Sequence, residues 1–453
     1  MKSNKSKESR LNIFSENPKK ALWTLAIPIF AGMAIQTVYT IVDMIYIGRL
    51  GGEAIASIAF NMPLLFFVHG LSMGLGVGVT ASIARFIGAN DKINADNSAE
   101  HALLMASIIS VIMVAVGLLF GKQMLAILGT TPIILGLAWS YLRVITLGLF
   151  FSIFSGFFRS ILAGEGDMRT PMIITVIGTI LNIILDPIFI FVLGYGVAGA
   201  AIATIISQGI VFSIFLYLLL IREHTYVTFR MRDFSFSKNI IFDIIKVGIP
   251  ASMAMIIMSI GQAVFNKILV SYSAFSVAAY QIAGRVETVL FLPIIAIATA
   301  LTTLVGMFYG AKDFPNVKLI IKYGMLRSVI ITIIGSIVIY MLAPHAINVF
   351  SNEPEIQQTA VTYLRLILFI YPLIAIAMTS GRVMQGLGLG IPMLVTSIIR
   401  VLGVSVPLAL FFNYILQKPI EWMWYAMMTS TVVAVFTAVL WLRFALKRRK
   451  IIL

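Results

Sequence analysis

The hexapeptide Phe86-Ile87-Gly88-Ala89-Asn90-Asp91 returns 222 residues later as Phe308-Tyr309-Gly310-Ala311-Lys312-Asp313. Working outward from this pair, Ile27-Pro28 recurs as Ile249-Pro250 and Tyr141-Leu142-Arg143 as Tyr363-Leu364-Arg365, at the same offset. The loop Gly164-Glu165-Gly166 with Pro171 is matched by Gly386-Leu387-Gly388 with Pro392 to within one residue. Four landmarks in one order mark an internal duplication.

What is duplicated follows from hydropathy. Of the 453 residues, 60% are hydrophobic and 11% charged, about half the charge of a soluble globular chain. A length that would make roughly three soluble domains holds no polar stretch long enough to be one. A helix crossing the bilayer core needs about 20 apolar residues, and the chain divides into twelve such runs, near 21–47, 56–83, 100–120, 132–162, 172–193, 197–221, 241–271, 277–308, 317–343, 357–386, 391–414 and 421–444. The first run is too long for a signal peptide, follows a polar tail and ends without a small-residue cleavage pattern, so it reads as a retained helix. Each repeat holds six spans, an even number, so both halves enter the membrane in the same direction. The prediction is an all-α polytopic membrane protein of two six-helix lobes related by a parallel repeat, an arrangement many secondary transporters share. Its expected parts are a tail over 1–19, an N-lobe over 20–221, a linker over 222–239, a C-lobe over 240–446 and a basic C-terminus over 447–453.

Charge gives the orientation. Lys and Arg total 33 against 18 Asp and Glu, a formal net charge of +15. With the N-terminus inside, inner segments carry Lys2, Lys5, Lys7, Arg10, Lys19, Lys20, Arg85, Lys92, Arg169, Arg222, Arg230, Arg232, Lys238, Lys312, Lys318, Arg382, Arg443, Lys447, Arg448, Arg449 and Lys450, while outer loops carry Arg49, Lys122 and Lys418. This asymmetry places both termini in the cytoplasm and the chain in the cell membrane. The surplus is thereby a topology signal, which disfavours nucleic acid as a partner. The polar composition of the tail predicts disorder. The absence of cysteine excludes disulfides and thiol chemistry.

Ionisable residues inside a membrane are functional by default, and only Asp43, Asp186 and Glu287 lie well within the apolar runs. Asp43 precedes the outer loop Gly48 to Gly52, Asp186 lies eight residues before Gly194, and Thr204 lies eight after Gly196. At 1.5 Å per residue all three sit roughly 8 to 12 Å below the outer surface of one lobe. Asn182 shares a helix face with Asp186, and Pro187, lacking an N–H, frees the carbonyl of Ile183. Two carboxylates, an amide and a hydroxyl suit Na⁺ or a shared proton, because two neighbouring carboxylates in a poorly solvated site do not both ionise readily. The alternative is that each aspartate only hydrogen-bonds across a helix interface. The repeat favours the first reading, since Phe265-Asn266 and Val406-Pro407 replace the acids in the second half. Met33, Gln36, Tyr39 and Met172 are candidate cavity lining, suited to flat cations.

The remaining motifs weigh less. Glu287 and Arg400 are expected at similar depth, as an ion pair or a transport element. Arg143 and Arg365 read as interfacial anchors. Gly70, Gly74, Gly76 and Gly78 lack the Gly-Lys-Ser/Thr of a phosphate loop and read as helix packing. His69, His101, His224 and His345 have no metal-ligand spacing, and no nucleophile is paired with a base. The chain is not expected to be an enzyme and calls for no cofactor beyond its coupling ion.

The ordered set Asp43-Met-Ile-Tyr-Ile-Gly48-Arg49-Leu50-Gly51, the Gly-Ala-x-Asp loops, Leu181-Asn182-Ile-Ile-Leu-Asp186-Pro187 with Gly196-Val-Ala-Gly199, and Met384-Gln385-Gly386-Leu387-Gly388 resembles the multidrug and toxic compound extrusion (MATE) family from about residue 18 to 445. The resemblance implies an antiporter that exports organic cations and drugs against H⁺ or Na⁺, and the chain is expected to be a monomer. It further resembles the branch in which residues matching Asp43, Asn182, Asp186 and Thr204 form the cation site. Another branch carries acids in the seventh and tenth helices, where this chain has none. The rival reading is a flippase for lipid-linked oligosaccharides, a related superfamily member that should present cations to a pyrophosphate.

Overall fold

The computed structural model describes residues 9–222, 225–229 and 234–451. Lys2, Lys5 and Lys7 of the tail, His224, and Arg230 and Arg232 of the linker lie outside the described residues. Among the described residues the chain is helical without strands, and twelve helices are long and apolar enough to cross a membrane. They are α1 Pro18–Gly48, α2 Gly52–Gly88, α3 Lys92–Ile127, α4 Pro132–Gly164, α5 Arg169–Val192, α6 Gly196–Ile221, α7 Lys238–Val270, α8 Ala274–Gly310, α9 Phe314–Asn348, α10 Pro354–Gly386, α11 Ile391–Ile415 and α12 Glu421–Arg448. Most exceed the apolar runs. The 37 residues of α2 extend roughly 55 Å, well beyond a hydrocarbon core of about 30 Å. Polar turns such as that of Asp96 and Glu100 in α3 and Asp243 in α7 therefore continue the helices rather than forming loops.

The duplicated motifs are duplicated turns. After α2, Asn90 takes φ 56°, the Asp91 N–H bonds back to the Phe86 carbonyl at 2.9 Å, and the Asp91 carboxylate accepts from the Asn94 N–H at 3.1 Å to start α3. After α8, Lys312 takes φ 57°, Asp313 N–H reaches the Phe308 carbonyl at 2.9 Å, and Asp313 caps α9 through Asn316. One hexapeptide closes a helix with a left-handed residue and opens the next with an aspartate cap. The Gly-x-Gly pair works likewise: Gly166 at φ 79° and Gly388 at φ 80° end α4 and α10.

The chain divides into two compact units, one holding Ile27–Ile244 with residues up to Asn12, the other Ile13–Ala26 with Ile245 onward. In the first, α4 is packed by α2, α3 and α6. The α2 glycines at 70, 74, 76 and 78 are buried, and a Cβ on Gly76 would collide with Ser160 Oγ of α4, so Gly76 serves close helix packing. In the second, α8 is packed by α9 and α10, and Tyr280, Tyr363 and Trp424 form its aromatic centre, with ring centroids 4.6–6.1 Å apart.

The stretch after α6 reads as a spacer in the sequence, yet it is bound along the first unit. Tyr226 and Val227 donate their N–H groups to the Glu165 carboxylate at 3.0 and 2.7 Å. Thr228 bonds Asp96, and Asn97 donates to the Ser235 carbonyl at 2.8 Å. His101, fully buried, holds the Asn97 carbonyl at 2.8 Å through Nδ1 and accepts the Ser237 N–H at 2.9 Å through Nε2. The first contact requires a proton on Nδ1 and the second a lone pair on Nε2, which assigns the neutral tautomer. Phe234 and Phe236 cover the ring, and Asp243 pairs with Arg85 and Ser82. His101→Ala should thus raise the rate at which a protease cuts between residues 234 and 240 by several-fold. Unchanged digestion would show that Asn97 and Glu165 suffice to hold the segment.

Glu165 lies outside the spans, 5% exposed. Burial raises its pKa from the usual 4.5 to about 7, with Asp167 adding to the rise and the two N–H bonds and Arg10 opposing it. The folded chain then keeps a proton that the unfolded chain has released, so this group's stabilising contribution is complete below pH 4.5 and declines as pH climbs to about 7. The expected result is that wild type loses stability relative to Glu165→Gln between pH 5 and 7 in thermal unfolding, with no further divergence above pH 8. Parallel curves would exclude the linkage.

Candidate cation site

Pro187 ends the regular helix of α5. With no N–H to donate, it is followed by a π-helical turn over Ile188–Val192. The turn closes through Leu193 N–H to the Ile188 carbonyl at 2.8 Å and Tyr195 N–H to the Phe189 carbonyl at 3.1 Å. Gly194 and Gly196, at φ 70° and 54°, reverse the chain into α6. There Gly199 lies directly on the Phe189 peptide: a Cβ would stand 2.7 Å from its carbonyl carbon. This approach sets α6, and Thr204 one turn further along it, beside the end of α5.

One turn before Pro187, Asn182 donates its amide to Asp186 Oδ1 at 2.8 Å. Asp186 is fully buried, and its Oδ2 has no hydrogen-bond partner. Thr204 donates to the Ala200 carbonyl at 2.9 Å and lies within hydrogen-bonding reach of the Tyr39 hydroxyl. Asp43 stands one turn beyond Tyr39 on α1, half-buried. Tyr39 and Tyr141 of α4 both lie within electrostatic reach of the Asp43 and Asp186 carboxylates, which in turn act on each other. Asp43, Asn182, Asp186 and Thr204 thus converge from three helices, with Tyr39 as the link.

The site is anionic without a counter-charge. The unit's ion pairs, Arg10–Asp167, Arg85–Asp243 and Lys92–Asp96, lie elsewhere, and no basic side chain touches Asp43 or Asp186 among the described residues. Two poorly solvated carboxylates in reach of each other repel, and a proton or a small cation relieves that repulsion. The donors are all hard oxygens, which fits Na⁺ as well as H⁺. No trio of acid and histidine side chains suited to a higher-charged metal occurs among the described residues.

Of the four proposed lining residues, Met172 lies away from the acids and Tyr39 beside them. Met172 packs against Gly32, where a Cβ would meet its Cγ at 3.7 Å, roughly 16 Å along α1 from Asp43. Met33 and Gln36 accept the hydroxyls of Thr37 and Thr40 through their own carbonyls. Tyr39 belongs to the acid cluster.

The second unit repeats the backbone without the acids. α11 has a π-helical turn over Phe411–Ile415, but Val406 stands at the aspartate position. Phe265 is core, 4% exposed, and Asn266 accepts from Gln281 at 3.1 Å. Glu287 is approached by the hydroxyls of Tyr363 and Tyr371. Among the described residues the anticipated Glu287–Arg400 ion pair is not formed, and both groups have Tyr280, Tyr363 and Tyr371 within electrostatic reach. Tyr141 was missed as a site residue, although its repeat mate Tyr363 likewise faces its own lobe's acid. That shared environment explains why a tyrosine holds both positions.

Comparison with known proteins places the chain among transporters. The family model described as MatE matches the chain twice, over residues 28–188 and 250–411, in step with the internal repeat. A probable multidrug resistance protein of Thermotoga maritima, NorM, is 27% identical over 426 residues, covering 91% of this chain and 90% of its own length. The probable multidrug resistance protein YoeA of Bacillus subtilis is 24% identical, covering 97% of each. Among solved structures, a MATE protein in complex with MaL6 superposes with a TM-score of 0.93 at 32% identity, covering 97% of this chain and 99% of that one. A MOP superfamily transporter from Pyrococcus furiosus gives 0.93 at 32% identity, covering 99% and 100%.

Proposed function

The chain belongs to the MatE family of multi-pass membrane transporters, and from that premise we propose that it is a secondary antiporter exporting organic cations and drugs in exchange for H⁺ or Na⁺ bound at Asp43 and Asp186. Multidrug export is the activity for which its relatives are named. The observation that carries the coupling is one-sided: two carboxylates without a counter-cation in the first unit, and apolar or amide residues at both equivalent places in the second. Acids that merely stabilised a helix interface would be wanted in both repeats. A bound proton or Na⁺ neutralises the pair, and its release restores the negative charge that attracts a cationic substrate. Ion and substrate thereby compete, and alternating access makes the competition vectorial. We place both termini in the cytoplasm and the protein in the cell membrane, on the charge asymmetry of its loops.

A flippase for a lipid-linked oligosaccharide is the second reading. It requires a basic pyrophosphate site, and the Asp43–Asp186 end of the first unit is anionic. Dye efflux from proteoliposomes, driven first by a pH gradient and then separately by a Na⁺ gradient, tests the proposal. Efflux under one gradient names the coupling ion, whereas failure under both, alongside translocation of a pyrophosphate lipid, would replace the antiporter with the flippase.

A further inference from the structure

Arg159 of α4 is half-buried inside the first unit, and neither it nor Ser72 of α2 has a hydrogen-bond or ion-pair partner among the described residues. The two converge on Gly156: a Cβ there would lie 3.0 Å from Ser72 Oγ and 3.9 Å from Arg159 Nη2. Gly156 precedes the inner end of α4 at Gly164 by eight residues, so the guanidinium sits roughly 12 Å in from that end. His69 stands one turn before Ser72 on the same face of α2, exposed and within electrostatic reach of Arg159. Phe66 and Met73, 63% and 41% exposed, flank His69 on that face at helical spacing.

A guanidinium packed between helices without a carboxylate partner leaves its N–H donors available to a ligand. We propose that Arg159, Ser72 and His69 form an anion-recognition subsite that takes the phosphate or carboxylate group of an amphiphile whose apolar body lies along Phe66 and Met73. The planar fork of arginine matches two oxygens of such a group. The serine hydroxyl and an imidazole N–H supply further donors, and the missing side chain at Gly156 leaves the floor open. This subsite is opposite in sign to the Asp43–Asp186 pair and belongs to different helix levels. It extends the substrate class from cations to amphiphiles that carry an oxyanion. The proposal rests on the transport reading only in calling that amphiphile cargo; the binding stands independently of it.

The test is binding of dodecyl phosphate to the purified full chain in an uncharged detergent, by isothermal titration calorimetry, with dodecyl trimethylammonium as the opposite-charge probe. Arg159→Gln should weaken dodecyl phosphate by ~10-fold or more, Arg159→Lys should restore part of the loss, and dodecyl trimethylammonium should be unaffected by either. His69→Ala with Ser72→Ala should weaken dodecyl phosphate several-fold, which keeps the proposal testable if Arg159→Gln fails to fold. Nanodiscs distinguish the source: competition of dodecyl phosphate by phosphatidylglycerol, absent with phosphatidylcholine alone, identifies a lipid headgroup, and no competition identifies a free amphiphile. Equal affinity of wild type and both variant proteins for dodecyl phosphate overturns the subsite. Loss of efflux under both ion gradients, with dodecyl phosphate binding intact, would instead overturn the transport reading and leave the subsite standing.

Discussion

Asp43→Asn and Asp186→Asn are each expected to reduce gradient-driven efflux from proteoliposomes by on the order of tenfold or more, the scale of a lost charged interaction. Asparagine keeps the size and most of the hydrogen-bonding shape of aspartate, so the change is chiefly one of charge. At position 186 the Asn182 amide still finds an oxygen, while the second oxygen, which has no partner in the native chain, becomes an amide. With one carboxylate gone, the other no longer meets repulsion, and the site gives up the charge that a proton or Na⁺ and the substrate exchange. The stability of the same variants separates function from fold. Because the two acids face no counter-cation, removing one should leave thermal stability unchanged or raise it slightly. Undiminished efflux in both variants would sink the coupling site, and a collapse of stability would assign the acids to the helix interface.

The parts of this molecule that were legible in its sequence are those written in local chemistry. The turns Phe86 to Asp91 and Phe308 to Asp313 repeat because a left-handed residue and an aspartate cap are specified by neighbours along the chain. The common depth of Asp43, Asp186 and Thr204 was likewise a matter of counting residues from loops. Helix ends were less legible, since apolar runs report only the stretch in hydrocarbon and α3 begins eight residues before its run and ends seven after it. Contacts between distant segments were not legible. Tyr141 reaches the acids from a helix whose own pattern marks it only as a repeat landmark. The linker's polarity reads as a spacer until His101, Asp96 and Glu165 are seen to receive its N–H groups. Glu287 and Arg400 share an expected depth, but depth does not reveal that both have Tyr280, Tyr363 and Tyr371 as neighbours. The same limit hid Arg159, whose position on α4 gives no sign that Ser72 and His69 lie beside it.

Gly199→Ala is the second large effect expected, and it joins packing to the site. A methyl group at this position meets the Phe189 carbonyl, with the carbonyl carbon at 2.7 Å and Ile190 N at 3.0 Å. These are backbone atoms, so no side-chain rotation relieves the contact, and α6 must move away from the π-helical turn that follows Asp186. Overpacking of this kind costs about 1–3 kcal/mol, equivalent in a chain of this size to a melting temperature lower by roughly 1–3 °C. Thr204 is carried on the moving helix five residues further on, so its hydroxyl is drawn from Tyr39 and from the level of Asp186. Efflux should fall several-fold with both carboxylates intact, and Gly199→Val should do worse in both measurements. Gly209 on the same helix supplies the control. A Cβ there would lie 3.7 Å from the Phe151 ring, an ordinary contact, and alanine is the better helix former by about 1 kcal/mol, so Gly209→Ala should be neutral or stabilising. Equal melting temperatures and equal efflux for the two alanine variants would mean that the turn after Pro187 yields to α6 without disturbing the acids. In that event the position of Thr204 would have to be set by its own bond to Ala200 and by Tyr39, and not by the approach of Gly199 to Phe189.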